Sequence, residues 1–226
     1  MTRLGVIVGM ASEAACLPQG DALRVGVSGA RPDKAYREAL GLVDAGCTAL
    51  VSFGVAGALD PVLKPGALLA ADAVVLPGGR RVEADARWRK RLTAKLARGG
   101  LAALPGSLLG RDGPVILASR KKELRTETGA LAVDMESHAV AAVAAEYGLS
   151  FLVLRAIADP AGRAIPSWVT DLVAADGTVD PWKAAYEALC RPWDIPSLVL
   201  LGRENALALK TLQEAVRLSG GRLGAD

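Results

Sequence analysis

Asp134, Glu136 and Asp159 stand at the ends of apolar runs in the segment Gly129 to Pro160, which also carries a lone Arg155. Carboxyl groups so placed can bind sugar hydroxyls, orient an attacking water or carry a proton to a leaving group. Arg155 lies inside an otherwise apolar strand-like run, and an unpaired buried charge is expensive. Alternation places Phe151, Val153, Arg155, Ile157 and Asp159 on one strand face. Arg155 and Asp159 are then roughly 13 Å apart, at about 3.3 Å per residue. They do not bridge each other, and Asp134 or Glu136 is the expected partner of Arg155. Pro160 follows Asp159, removes one backbone donor and restricts the aspartate to extended conformations. To act as an acid near neutrality, Asp159 needs a pKa well above the usual ~3.9, as a dry site with few donors would provide.

Other chemistry-bearing residues follow predicted strands. Glu13 sits in the turn GMASE after the first apolar run. Either Ser12 caps a short helix there and Glu13 favours its positive end, or the carboxylate enters a ligand site. Ser28-Gly29 leaves the second strand just before Arg31, at the start of a helix whose free N–H groups could receive an anion. Gly54 and Gly57 in SFGVAGAL suggest close approach of backbone to a ligand or another chain. The segment is not the GxGxxG dinucleotide pattern, and no GxxxxGK[ST] loop occurs in the chain. The single histidine, His138, reads as a helix residue; with Cys16, Cys47 and Cys190 far apart, no metal-ligand spacing or disulfide framework arises.

The elements that must position these groups alternate between strand and helix over the first 160 residues. Strands are predicted at Leu4–Val8, Leu23–Val27, Thr48–Phe53, Ala67–Leu76 and Phe151–Asp159, with short strands between Leu101 and Leu117. Helices are predicted from Arg31 to about Gly46, from about Asp85 to Arg98, and from Ser119, as cap, to Thr128. Gly129 to Pro160 reads as a strand–helix–strand unit with parallel strands. Such units imply a sheet whose ligands gather at the carboxyl ends of its strands. Pro181–Cys190 and Asp194–Leu218 read as C-terminal helices, near Trp168, Trp182 and Trp193.

The 226 residues suffice for one large α/β domain, and 51% apolar against 23% charged residues describe a globular chain. A net charge of +3 with few aromatics does not favour nucleic acid. Met1 to Gly9 reads as a strand rather than a signal peptide, and no apolar run approaches the ~20 residues of a membrane span. A soluble, cytoplasmic protein is expected.

GMASE, Ser28-Gly29, SFGVAGAL, VDMES and LRAIAD together resemble, in order and spacing, the nucleoside phosphorylase/nucleosidase superfamily. VDMESHAVA, FLVLRAIADPAGRAIP and the C-terminal portion are most similar to its hopanoid-associated branch, assigned to removing adenine from adenosylhopane. The resemblance implies a single-domain, three-layer α/β/α fold over residues 1–226, with a mixed central sheet and a helical segment 160–226; whether that segment faces lipid, the core or a partner chain stays open. It implies that Glu136 binds ribose hydroxyls, Met135 packs on the sugar, Asp159 donates to purine N7 and Glu13 activates water. Arg155 would organise the acids, while Phe53, Gly54, Val133, Asp134 and Met135 would line the base and sugar. No cofactor or metal is implied, although phosphate is an alternative co-substrate. Phosphorolytic members hold phosphate with an arginine and a serine in the SFGVAGAL segment; here the positions are Ser52 and Val55, so the charge and one hydroxyl are missing. Ser28, Gly29, Arg31 and Ser52 are the remaining anion candidates, and hydrolysis is favoured over phosphorolysis. The resemblance further implies a small-molecule or lipid-linked purine nucleoside as ligand and a homo-oligomeric state. WDIPSLVLL and its tryptophans suggest peripheral contact with the inner membrane surface. An MTA/SAH-type nucleosidase and a non-catalytic purine-binding protein are the alternatives.

Overall fold

A computed structural model describes residues 3–18, 20, 23–174 and 176–225. In chain order these form β1 (Leu4–Val8), α1 (Ala11–Ala14), β2 (Leu23–Val27), α2 (Pro32–Asp44), β3 (Ala49–Ala58), β4 (Leu68–Ala70), β5 (Ala73–Val75), β6 (Arg81–Glu83) and α3 (Ala86–Arg98). There follow β7 (Ala103–Leu104), β8 (Ser107–Gly110), α4 (Ala118–Thr128), β9 (Ala132–Asp134), α5 (Ser137–Glu146), β10 (Ser150–Asp159), α6 (Pro181–Cys190) and α7 (Ile195–Leu218). Met1 and Thr2, part of the first predicted strand, lie outside the described residues.

The sheet runs β6-β5-β8-β9-β3-β10-β4-β7, with β1 paired to β3 and β2 to β1. It is mixed: β10 is parallel to β3, whereas β9 is antiparallel to β3 and β4 to β10. β3 and β10 are buried on both faces, which explains why their sequences are apolar apart from Ser52 and Arg155 and the ends of β10. One core fills the space between the sheet and α2 and α5, through Ala35, Ala39, Val140 and Val143. The other lies between the sheet and α3 and α7, through Trp88, Leu92, Leu212 and Val216. The fold is thus the expected three-layer α/β/α arrangement with a helical C-terminal segment.

Local chemistry accounts for the element ends. Pro32 begins α2 in the first turn, where its missing N–H costs no helix bond. Asp85 caps α3 by accepting from the N–H groups of Arg87 and Trp88. Gly129, at φ 68°, closes α4 in the left-handed conformation that glycine tolerates best.

Several expectations need correction. Ala67–Leu76 is two strands rather than one, broken at Ala71 and Asp72. β4 pairs with β10 and β5 with β8, on opposite sides of the sheet. The three Cα steps from Ala70 to Ala73 reach only about 11 Å, so the sheet curls to bring these sides together. Gly129 to Pro160 is not a parallel unit: β9 and β10 both neighbour β3 but run in opposite directions. α4 starts at Ala118 with Leu117 at its cap, so Ser119 lies inside the helix. Met10, not Ser12, holds the cap position of α1.

Candidate active site

The long strand β3 carries the site. Its carboxyl-terminal half, Val55 to Gly57, forms one wall of a cavity of about 190 Å³. Val133 of β9 lies opposite Gly57, and Asp159 of β10 also registers against Gly57. Two strands of opposite direction therefore deliver Asp134 and Asp159 to the same end of β3. Glu13, Asp134, Glu136 and Asp159 all line this cavity, as do Val133 and Met135.

Beneath it lies a buried polar cluster. The Arg155 guanidinium is fully buried and pairs with Asp134 Oδ2 at 2.6 Å and Glu136 Oε2 at 3.2 Å. It also donates to Ser52 Oγ at 2.7 Å and Ser137 Oγ at 3.2 Å. Asp134 is braced in turn by the N–H and hydroxyl of Ser137, the first residue of α5. Burial works against the Arg155 charge, but Asp134, Glu136 and Glu13 more than offset it. Arg155 and Asp159 find separate partners, as the strand spacing requires.

Glu13 is held by backbone alone. Its Oε2 accepts from the N–H groups of Gly9 at 2.7 Å and Met10 at 2.8 Å, and its Oε1 from Val55 at 2.7 Å. Gly54 makes this possible: a Cβ there would collide with Glu13 Oε1 and Arg155 Nη1. A Cβ on Gly9 would lie 2.9 Å from Glu136 Oε1 and 3.3 Å from Glu13 Oε2, so these carboxyls flank a single glycine. The glycines thus admit the protein's own acids rather than a ligand.

Desolvation raises the Glu13 pKa from its ordinary value, with Arg155 and the three N–H groups opposing it. Glu136 is pushed up to about 8, chiefly by burial, against the pull of Arg155 and with the push of Asp134 and Glu13. Burial also raises Asp159, opposed mainly by Lys121.

Some expected residues lie elsewhere. Phe53 is fully buried in the core between the sheet and α7, earlier along β3 than the cavity wall formed by Val55, Ala56 and Gly57. Ser52 is fully buried under the acids, bonded to Ser137 Oγ at 2.9 Å and to Arg155, and does not reach the cavity. Gly54 and Arg155 support the lining without forming it. Ser28 is fully buried with its hydroxyl unpartnered, and Gly29 turns at φ 65°. Arg31 is half exposed and pairs with Asp33 at 3.4 Å. His138 Nε2 meets Asp112 Oδ1 at 3.0 Å and ties α5 to the loop carrying Gly113 to Ile116, another wall of the cavity.

Sequence reasoning passed over two features. Lys121 is fully buried in α4 and ion-pairs with Asp159; its helical spacing from Leu117 and Leu124 was the available signal. The second is an apolar cavity of about 770 Å³ that shares Met10, Ala30, Val55, Pro114, Met135 and Ile165 with the acid pocket. Val169, Leu172, Val179 and Ala184 from the C-terminal segment and Leu198 and Leu201 of α7 also line it, and the expected anion residues Gly29 and Arg31 stand at this cavity rather than at the acid pocket. Among the described residues no group of three or more His, Cys, Asp and Glu side chains could hold a metal ion.

The same fold occurs in solved structures at low sequence identity. Helicobacter pylori 5′-methylthioadenosine/S-adenosylhomocysteine nucleosidase, complexed with a pyrrolidine-based ligand, aligns over 96% of this chain and 98% of its own, with TM-score 0.70 and 20% identity. Futalosine hydrolase from the same organism aligns over 96% and 97%, with TM-score 0.69 and 19% identity. Streptococcus pyogenes S-adenosylhomocysteine nucleosidase aligns over 95% and 96%, with TM-score 0.67 and 19% identity. No curated protein sequence matches the chain. The family model described as Phosphorylase superfamily matches residues 23–178, more than half of the chain, and the protein belongs to that superfamily.

Proposed function

We propose that the protein is a purine nucleosidase that hydrolyses the N-glycosidic bond of an adenosine bearing a bulky apolar 5′ substituent. The observation that carries this reading is the continuity of an acid-lined pocket with a larger apolar cavity. Adenine would sit at Asp159, ribose over Met135 against Glu136, and the 5′ substituent in the apolar cavity. Adenosylhopane, named by the sequence resemblance, has this chemistry.

Cleavage builds positive charge on the ribose, as in glycoside hydrolysis. Glu136, with its raised pKa, would gain most from ionising as that charge develops, so its attraction is stronger in the transition state than in the ground state. Asp159 would protonate the purine, and Glu13 would take a proton from water. Their upward shifts bring both nearer the operating pH, where such transfers contribute about 10²–10⁴-fold.

Water is favoured over phosphate as nucleophile. Ser52 is committed to Arg155 and Ser137 beneath the acids, and Glu13 stands in the pocket. A methylthioadenosine-type substrate is the second reading, favoured by the likeness to nucleosidases of that kind. We further place peripheral membrane contact on α6, where Trp182, Tyr186 and Leu189 are exposed along one face. The test is adenine release from adenosylhopane, methylthioadenosine and inosine, each with and without phosphate. Preference for adenosylhopane without phosphate is expected; no release from any substrate would refute the enzyme reading.

A further inference from the structure

Lys121 is a full charge in the interior with no part in the reaction as described above. A lysine ordinarily keeps its ammonium in water, yet this one is fully buried. Its three donors all reach one short segment. They go to Asp159 Oδ2, to the carbonyl of Pro160 at 3.0 Å and to the carbonyl of Arg163 at 3.1 Å. An ammonium has only three N–H bonds, so none remains for a ligand.

The Asp159 carboxyl is thereby divided. Oδ2 belongs to α4 through Lys121. Both oxygens lie beside Gly57, 3.0 and 3.2 Å from where a Cβ would stand, at the cavity wall that Gly57 and Asp159 share; Lys121 takes Oδ2 and leaves Oδ1 for the cavity. The other charges facing Asp159 are Arg163, on the segment after β10, and Glu204 of α7. These two pair with each other and largely cancel. Glu13 and Glu136 stand across the cavity. Lys121 is therefore the uncancelled charge next to Asp159.

We propose that Lys121 is a positioning residue for the proposed nucleosidase reaction, fixing Asp159 by one oxygen so that the other delivers a proton to the departing purine, and setting the pH above which that proton is lost. This rests on the nucleosidase reading. Burial alone would make Asp159 hold its proton tightly; the ammonium opposes it and makes the carboxyl a stronger acid. In the step itself, the proton passes from Asp159 to purine N7 and the C1′–N9 bond breaks with its electron pair going to the purine. Water then adds to C1′ and yields a proton to Glu13. Glu13 returns that proton to solvent and Asp159 takes one from solvent, so nucleoside and water become purine and free sugar.

The test compares Lys121→Met and Lys121→Arg with the parent, each checked for folding by circular dichroism. Removing the charge raises the Asp159 pKa, so the alkaline limb of the kcat/KM profile moves up by about one pH unit or more. The maximal kcat falls about tenfold or more as the carboxyl loses its anchor, with a smaller change in KM. Lys121→Arg keeps the limb where the parent has it. An unmoved limb in folded Lys121→Met overturns the proposal. Lys121→Gln is the substitute if the methionine variant does not fold, and loss of folding in both assigns Lys121 to structure alone. Carbon-13 NMR titration of the Asp159 carboxyl gives a readout independent of turnover. If the parent releases no adenine, the nucleosidase reading fails, while a higher Asp159 pKa in the variant still upholds the electrostatic role.

Discussion

Arg155 is the one fully buried guanidinium among the described residues, and its partners explain why it is tolerated. Asp134 and Glu136 supply charge, and Ser52 and Ser137 supply acceptors. Removing one member of such a buried pair typically costs about 3–5 kcal/mol, because the other is left uncompensated. The Glu136 proton should be visible in stability. Its ordinary pKa is 4.5 and its folded value about 8, so between these values the folded state keeps a proton that the unfolded chain has lost. That contribution is fully present below pH 4.5 and is lost as pH rises through about 8. Denaturant midpoints measured from pH 5 to 9 should therefore decline less steeply for Glu136→Gln than for the parent. Parallel curves would contradict the assignment.

At the scale of elements, β3 does most of the organising. It is long enough to pair with β1 at one end, with β9 at the other, and with β10 along nearly its whole length. Asp134 and Asp159 were legible in the sequence as strand-end acids, and two-residue periodicity correctly separated Arg155 from Asp159. The relative direction of β9 and β10 was not legible, because a strand of three residues carries no pattern that distinguishes parallel from antiparallel pairing. Lys121 escaped notice for a similar reason. A lysine in a helix as polar as α4 reads as solvent-facing until the segment after Asp159 is folded over it. α6 presents Trp182, Tyr186 and Leu189 outward, with Trp182 84% exposed and Leu189 79%. Amphipathic faces of this kind bind membrane interfaces in proportion to the apolar area they bury. Flotation with phospholipid vesicles should be weaker for a Trp182→Ala/Trp193→Ala double variant than for the parent. If neither protein floats, the membrane contact is refuted.

At the scale of the whole molecule, the two apolar cores and the C-terminal helices have different tasks. The sheet, α2, α5 and α3 form a scaffold whose layers follow from apolar periodicity. α6 and the first half of α7 instead close an apolar cavity over the acid pocket, through Ala184, Leu198 and Leu201. Their tryptophans were visible in the sequence, but the cavity was not, since it is assembled from loops after β2 and β10 together with these helices. Among the described residues no helix is long and apolar enough to cross a membrane. In the proposed reaction Glu13 directs water, not phosphate, to a nucleoside held between Glu136 and Asp159. Mass spectrometry of the sugar released from adenosylhopane in oxygen-18 water without phosphate tests this. Adenine is expected together with a free sugar carrying one oxygen-18 at C1′. Adenine release only when phosphate is added, with a sugar 1-phosphate as the product, would contradict it.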